Sequence, residues 1–349
     1  MEPRSDAVFE ELLPFKKVVF VKDLVVGGCF DDVFFLDKIE VRQTKNDKDY
    51  WNMTLKDRTG DVQARCWSPS GEPLPVGKFV KVRADVEEYK GKKQMNVRKV
   101  RLLSNPETVD MADFVPVGPH DRFERMKVLE GIIQQIRNPG LRAVCRHVVE
   151  DTALHIAFRE SPAAKSNHHC YIGGLLDHVL SLAGLVHSIM SHYSPLSDLN
   201  YTEARLDEDL LITACIWHDI GKTKELTYSP ATRYTAEGSL IGHLGIGLEM
   251  LAGVRQKYFD ATEYEDAATY EKAVDVWSHL RHIICSHHGQ IEWRAITTPK
   301  TREAQVFHCL DLLDARGMAA FDIIDKLPVD DEGMTNWTGQ MDGPAWRSK

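Results

Sequence analysis

Among the fifteen histidines of this 349-residue chain, several follow or interrupt apolar helical runs and are joined there by aspartates. His178 shares a helical stripe with Leu175, Leu182 and Leu185 in "GGLLDHVLSLAGLVHSI", so it faces inward. His218 and Asp219 close the apolar run "LLITACIW", where a carboxylate is costly unless it is paired or holds a cation. His243 lies between apolar neighbours in "IGHLGIG", His287 and His288 are adjacent in "CSHHGQ", and Asp311 stands one turn after Phe307 in "VFHCLDLLDA". A single inward histidine is most often a satisfied core group. A series of them on successive helices is explained economically by a shared metal site.

Imidazole and carboxylate donors without thiolate suit Mn, Fe, Co, Ni or Zn, with Mg-like hardness at the carboxylates. Seven candidate ligands exceed the needs of one tetrahedral ion, so two divalent ions are expected. Such a pair activates a water and clamps the attacking and leaving oxygens of a phosphoryl transfer. Lys222, four residues after His218, reaches the same cavity if the helix continues through Gly221. Its ammonium there would offset charge on a phosphate oxygen; a solvated lysine at a helix C-terminus is the competing reading.

These side chains need helices to hold them, and the periodicity supplies helices only in the second part of the chain. "RFERMKVLEGIIQQI" is amphipathic and is stopped by "NPG"; further helices are expected at about 141 to 158, 174 to 192, 207 to 220, 239 to 257, 267 to 286 and 301 to 320. Before them, from Val18 to Leu103, β-branched and aromatic residues come in short runs broken by turn residues. "KVVFVKDLVVGG", "DVFFLDKIEVRQT", "YWNMTLKD", "DVQARCWS", "KFVKVRADVEEY" and "KQMNVRKVRLL" give five or six strands, with "DRTGD" and "YKGKK" as hairpin turns. Five or so short strands in fewer than ~100 residues make a small barrel or sandwich. The fold class expected is therefore α+β and multidomain, with an N-terminal OB-fold barrel over residues 16–104, a linker over 105–120, an all-helical domain over 121–327 and a loosely packed tail over 328–349.

Composition narrows the setting. With 43% hydrophobic and 27% charged residues the chain is globular in type. No apolar run approaches the ~20 residues that span a bilayer, and the acidic start lacks the pattern of a secretory signal, so no membrane partner and a cytoplasmic location are expected. Seven scattered cysteines without a CxxC pair argue against disulfides and thiolate zinc. Net charge is -9, yet residues 16–104 hold 19 Lys and Arg against 13 Asp and Glu, so this part is the place to look for a phosphate backbone. Single-stranded nucleic acid is held by aromatic platforms and cations, for which Tyr50, Trp51, Arg65, Trp67, Tyr89, Lys90, Lys92 and Lys93 are candidates. Tyr50 and Trp51 are adjacent on a strand and point to opposite faces, so one of them belongs to the core.

His178, the "HD" pair at 218 and 219 within "HDIGK", and Asp311 resemble the HD-domain superfamily of metal-dependent phosphohydrolases. "NHHCYIGGLLDHVLSLAGL", "WHDIGKTKEL", "GSLIGHLGIG", "SHHGQIEW", "HCLDLLDAR" and, in the barrel, "YWNMTLKDRTGDVQARCW" are similar to the YhaM-type 3'-5' exoribonucleases, which join an OB-fold to an HD domain. The likeness covers roughly residues 18 to 320. It implies hydrolysis of single-stranded RNA, sometimes DNA, from a free 3' end, with manganese or cobalt favoured and assembly into a homo-oligomer. It also implies that His178, His218, Asp219 and Asp311 form a core metal site with Asp219 bridging, that His243, His287 and His288 hold a second ion, and that Asp219 and Lys222 serve catalysis. Asp314 competes with Asp311 as the last ligand, and His282 with a member of the His287–His288 pair. Gly174 stands where related three-metal enzymes carry an acidic residue, which speaks against a third ion. His168 and His169 match the family and are placed, with Lys165, at the substrate entrance. Two other readings follow from the same residues: an HD phosphohydrolase acting on a nucleotide or cyclic dinucleotide, and a non-catalytic nucleic-acid-binding protein.

Overall fold

The computed structural model describes residues 16–103, 109–165, 169–193, 206–227, 230, 232–339 and 341–348. The chain divides after Val117 into two compact units.

The first unit is a closed barrel. β1 (Cys29–Gln43), β2 (Asp49–Asp57), β3 (Gly60–Cys66), β4 (Lys78–Tyr89) and β5 (Lys92–Leu102) pair in the order β1-β2-β3-β5-β4. Every neighbour is antiparallel except β3 and β5, which run parallel. This five-stranded closed connectivity is the OB-fold. Alternation fills the interior: Phe34, Leu36, Trp51, Met53, Leu55, Val80, Val82, Met95 and Val97 point inward. The tight β4–β5 turn places Lys90 at φ 52° and Gly91 at φ 73°, the pair of positive values that a two-residue hairpin turn demands.

The run "KVVFVKDLVVGG" does not form the expected strand. Its only regular element is one turn of 3-10 helix, Val21–Asp23. Carboxylates take the place of a neighbouring strand. Asp32 Oδ2 accepts from the backbone N of Val18 (2.9 Å) and Val19 (2.6 Å), and Asp57 Oδ2 accepts from Val21 (2.7 Å). β1 already pairs β4, so the barrel is closed without a sixth strand. Val109 and Phe114, within the stretch expected to be a linker, pack on Val33 and Phe35 of β1.

Trp51 is buried at 4% exposure in the barrel interior, and its expected place among the nucleic-acid contacts is therefore corrected. Inward-pointing positions on β2 alternate with outward ones, which leaves Tyr50 on the outer face. Trp51→Ala is expected to destabilise this unit by about 3–5 kcal/mol, the cost of a large cavity. Urea unfolding followed by circular dichroism measures it, and a loss below about 1 kcal/mol would place Trp51 outside the core.

The second unit is helical: α1 (Arg122–Gln135), α2 (Pro139–Glu150), α3 (Thr152–Glu160), α4 (Gly174–Tyr193), α5 (Glu208–Trp217), α6 (Lys222–Glu225), α7 (Ala236–Leu240), α8 (Gly242–Val254), α9 (Ala267–Ser286) and α10 (Arg302–Lys326). Side-chain caps explain the starts: Asp121, Asn138, Asp207 and Asp266 each accept from a backbone N two or three residues on. The single helix expected over 141–158 is two, because Asp151 ends α2 and caps α3 through Leu154 N (2.9 Å). The expected helix over 239–257 likewise divides at Gly242, which has φ 77°. α10 runs to Lys326, beyond the expected end at 320.

α5 is buried nearly all round, from Leu210 to Trp217, which marks a central helix. α4, α9 and α10 pack around it through Leu175, Val179, Leu182, Trp277, Leu280, Ile284, Phe307 and Leu310. α4 does have the length and composition to cross a membrane, contrary to the expectation that no run approaches this, but its first three turns are buried in this core. The tail from Pro328 is more ordered than expected: Val329 bridges Thr335, Met334 bridges Trp346 and Thr338 bridges Gly343.

Candidate metal centre and nucleic-acid face

His218 and Asp219 follow the central helix directly, so they enter the core with it and are both almost fully buried. Gly221 lets this turn lie against α8, since a Cβ there would run into the His243 carbonyl and Gly247 N. The "G" of "HDIGK" is thus a packing requirement that brings His243 to Asp219.

Five imidazoles converge with the same end forward. His178 Nδ1 donates to Asp314 Oδ2 (2.7 Å), His218 Nδ1 to the Cys215 carbonyl (3.0 Å), and His243 Nδ1 to Glu225 Oε1 (3.1 Å). His287 Nδ1 donates to the Ile284 carbonyl (2.9 Å) and His288 Nδ1 to the Trp293 carbonyl (2.8 Å). Each bond turns its ring so that Nε2 points into the cluster; in the neutral rings of His218, His287 and His288, whose Nδ1 donates to a backbone carbonyl, Nε2 is left as the lone-pair end. The Nε2 atoms face one another: His178 Nε2 is 3.2 Å from His218 Nε2, and His243 Nε2 is 3.3 Å from His288 Nε2. Two ring nitrogens at that distance need a shared proton or a cation between them.

Asp219 divides its oxygens between the two groups. Oδ2 lies 3.3 Å from His218 Nε2 and 3.8 Å from His178 Nε2, whereas Oδ1 lies 3.5 Å from His243 Nε2 and 3.8 Å from His287 Nε2. Oδ1 is buried and has no hydrogen-bond partner, an orphan that a bound cation would satisfy. Asp311 Oδ1 is 3.2 Å from His178 Nε2. Donor atoms within 4.8 Å of one another form the groups His178–His218–Asp219, His218–His287–Asp311 and His243–His287–His288. The donor set therefore fits divalent metal.

Electrostatics agree with that fit. Burial opposes ionisation of Asp219, but Lys222 and His218 hold its pKa well below the usual carboxylate range. Burial also opposes a charged His178, yet hydrogen bonds to Asp311 and Asp314 raise its pKa to about 9, so these carboxylates favour positive charge at this end of the cluster. His287, desolvated and facing His218 and His288, is pushed well below its ordinary value and so stays neutral, the form in which an imidazole can take a metal.

The structure separates the competing residues. Asp311 faces the Nε2 side of His178, while Asp314 stands behind the ring, holding Nδ1 and accepting from Ser181 Oγ and His169 Nε2 (3.2 Å). His282 is turned away, its Nε2 accepting from Lys300 N (2.9 Å). A Cβ at Gly174 would run into the His169 carbonyl, so no acidic side chain fits there. Lys222 begins α6 instead of continuing α5; its Nζ nevertheless reaches Asp219 Oδ2 at 2.5 Å.

The expected entrance is corrected at His169, which is buried, bonded to Asp314 and 2.9 Å from the Tyr171 hydroxyl. Lys165 is exposed, 5.4 Å from the Tyr234 ring. His168 lies outside the described residues. The opening beside the metal centre is a cavity of about 470 Å³ lined by residues including Tyr234, Ile241, His243, His288 and Arg294. Sequence reading missed Glu225, which orients His243 through both its ring and its backbone N (3.1 Å). The only signal was a carboxylate beside the apolar Leu226 at the end of "WHDIGKTKEL".

On the barrel, Tyr50 and Trp67 stack with centroids 4.7 Å apart. The Arg65 guanidinium lies 5.7 Å from the Trp67 ring and 5.0 Å from the Tyr89 ring, and its buried Nε has no partner. Arg65, Tyr89, Lys90, Lys92 and Lys93 line a hollow of about 740 Å³. Lys93 spends its ammonium on the Leu24 carbonyl (2.5 Å).

An OB-fold barrel and a helical unit with clustered His and Asp define an HD-domain protein with an attached OB-fold. Comparison agrees: residues 38–103 match the family of OB-fold nucleic acid binding domains and residues 175–316 match the HD domain. The chain is 32% identical to the 3'-5' exoribonuclease YhaM of Bacillus velezensis, over 83% of this chain and 86% of that protein. It is 33% identical to the 3'-5' exoribonuclease YhaM of Bacillus subtilis, over the same shares. Among solved structures, the second OB-fold domain of replication protein A from Methanococcus maripaludis matches at a TM-score of 0.22 and 13% identity, covering 25% of this chain and 95% of that one. The chain belongs to the YhaM family.

Proposed function

We propose that the protein is a metal-dependent 3'-5' exoribonuclease that shortens single-stranded RNA from a free 3' end to nucleoside monophosphates, with DNA a second substrate. Membership of the YhaM family supports the activity. The observation that carries the site is the division of Asp219 between two sets of Nε2 donors. His178, His218, Asp219 and Asp311 would hold one divalent ion, and His243, His287, His288 and the second Asp219 oxygen the other. The family resemblance favours manganese or cobalt, and the donors themselves also accept Fe, Ni, Mg or Zn. When bound, such a pair makes water a nucleophile at neutral pH and shields the phosphate.

The chain's own groups do the rest. Asp314, Glu225 and three backbone carbonyls hold the imidazoles in register. The Lys222 ammonium, kept charged by Asp219 against the cost of burial, offsets charge on a non-bridging phosphate oxygen. Water adds to phosphorus, the bond from phosphorus to the 3' oxygen of the penultimate nucleotide breaks, and the terminal nucleotide leaves with its 5' phosphate. Tyr50, Trp67 and Tyr89 stack bases and Arg65, Lys90 and Lys92 meet phosphates.

Two oligonucleotide experiments check this. Metal-loaded protein given a 5'-labelled strand should yield a ladder that shortens stepwise, and a 3'-labelled strand should release labelled mononucleotide at once. Turnover of free nucleotides without strand shortening would favour a nucleotide phosphohydrolase instead. Tyr50→Ala and Trp67→Ala should each weaken single-strand binding by about 1–3 kcal/mol for the base lost with unchanged unfolding midpoints; unchanged affinity in fluorescence anisotropy would remove them from the interface.

A further inference from the structure

Where β1, β4 and β5 run side by side, the barrel's outer surface carries an unbalanced charge. Lys81 stands directly opposite Arg101, and Arg83 directly opposite Lys99, across the antiparallel β4–β5 pair. Asp31 on β1 is the cross-strand partner of Arg83, and these five side chains line a hollow of about 190 Å³. Among the residues lining it, Asp31 is the one carboxylate beside four cations. Arg83 meets Asp31 Oδ2 at 2.7 Å and Lys81 meets Oδ1 at 3.5 Å. Lys99 and Arg101 are exposed, and among the described residues neither has a carboxylate within ion-pairing distance; Arg101 donates only to the Leu102 carbonyl (3.2 Å).

Like charges directly opposite on paired strands destabilise a sheet, and here the arrangement occurs twice in succession. In a chain of net charge -9, nothing in general solubility calls for it. The ligand chemistry that would relieve the repulsion is a line of phosphates. No aromatic ring lines this hollow, in contrast to the surface of Tyr50, Trp67 and Tyr89, so bases have no platform here. Contacts of this kind position a strand and carry no sequence information.

We propose that Lys81, Arg83, Lys99 and Arg101 form a second nucleic-acid contact, one that binds the phosphodiester backbone independently of the bases. It shares no residue with the aromatic surface described above, and it is read by binding alone, so it stands or falls separately from the hydrolytic reaction.

The test uses the full chain in chelator, which prevents turnover, and an abasic phosphodiester oligomer as the probe. Wild-type protein should bind it. Lys99→Gln/Arg101→Gln should weaken binding about tenfold and reduce the slope of log affinity against log salt by about 1.4, two contacts at ~0.7 each. Its melting temperature without oligomer should stay level or rise, because a like-charge pairing has been relieved. Tyr50→Ala/Trp67→Ala should leave abasic binding unchanged. Should the first variant fold poorly, Lys81→Gln/Arg83→Gln serves in its place. Failure of wild-type protein to bind the abasic strand, or equal affinity and salt slope in wild type and a folded variant, would overturn the proposal.

Discussion

Asp219→Ala should lower kcat for a single-stranded RNA by about a thousandfold or more, the loss expected when the several kcal/mol that bound metals contribute to the transition state are removed. Asp219 sends a separate oxygen toward each group, Oδ2 to His178 and His218 and Oδ1 to His243 and His287. Truncation therefore strips a donor from both positions at once and leaves the Lys222 ammonium buried without its carboxylate. Strand binding should be largely preserved, because the aromatic and basic residues of the barrel belong to a separate unit. Single-turnover kinetics and anisotropy on the same preparation check both halves. A kcat within tenfold of wild type would remove Asp219 from the mechanism.

The second large effect separates two aspartates that the sequence leaves as rivals. Asp314→Asn should reduce metal affinity or activity by about 10–100-fold, the usual cost of losing the group that orients a ligating histidine. Asp311→Asn, which alters a donor facing Nε2 of His178 directly, should cost more than that. The asymmetry comes from the ring: Asp314 takes Nδ1 and Asp311 faces Nε2. Metal titration by calorimetry on both variants reads it. If Asp314→Asn proved the more damaging for metal binding, the two roles would have to be exchanged.

The parts of this molecule that were legible beforehand are those in which one residue's chemistry decides its place. His178 on an apolar stripe and a carboxylate straight after "LLITACIW" have few low-energy positions other than a shared interior. The period-2 runs from Phe30 to Leu102 gave the barrel for the same reason, since alternation assigns each side chain to one face. What stayed hidden depended on partners distant in sequence. "KVVFVKDLVVGG" looks like a strand, but Asp32 and Asp57 capture its backbone amides. Asp151 ends one helix and begins another through a single side chain. His169 stands beside its neighbour His168 in sequence, yet it is drawn into the interior by Asp314, 145 residues away. Glu225 shows no periodicity of its own and acquires meaning only when Gly221 allows α8 to close on it.

The central claim is that imidazoles and carboxylates from separate helices enclose a pair of divalent cations. Anomalous diffraction from crystals grown with manganese tests it most directly. Two peaks per chain should appear about 3.5–4 Å apart, one beside His178, His218 and Asp311 and one beside His243, His287 and His288, with Asp219 between them. Manganese bound elsewhere, or no peak within reach of the Nε2 atoms at full occupancy of the added metal, would contradict the account.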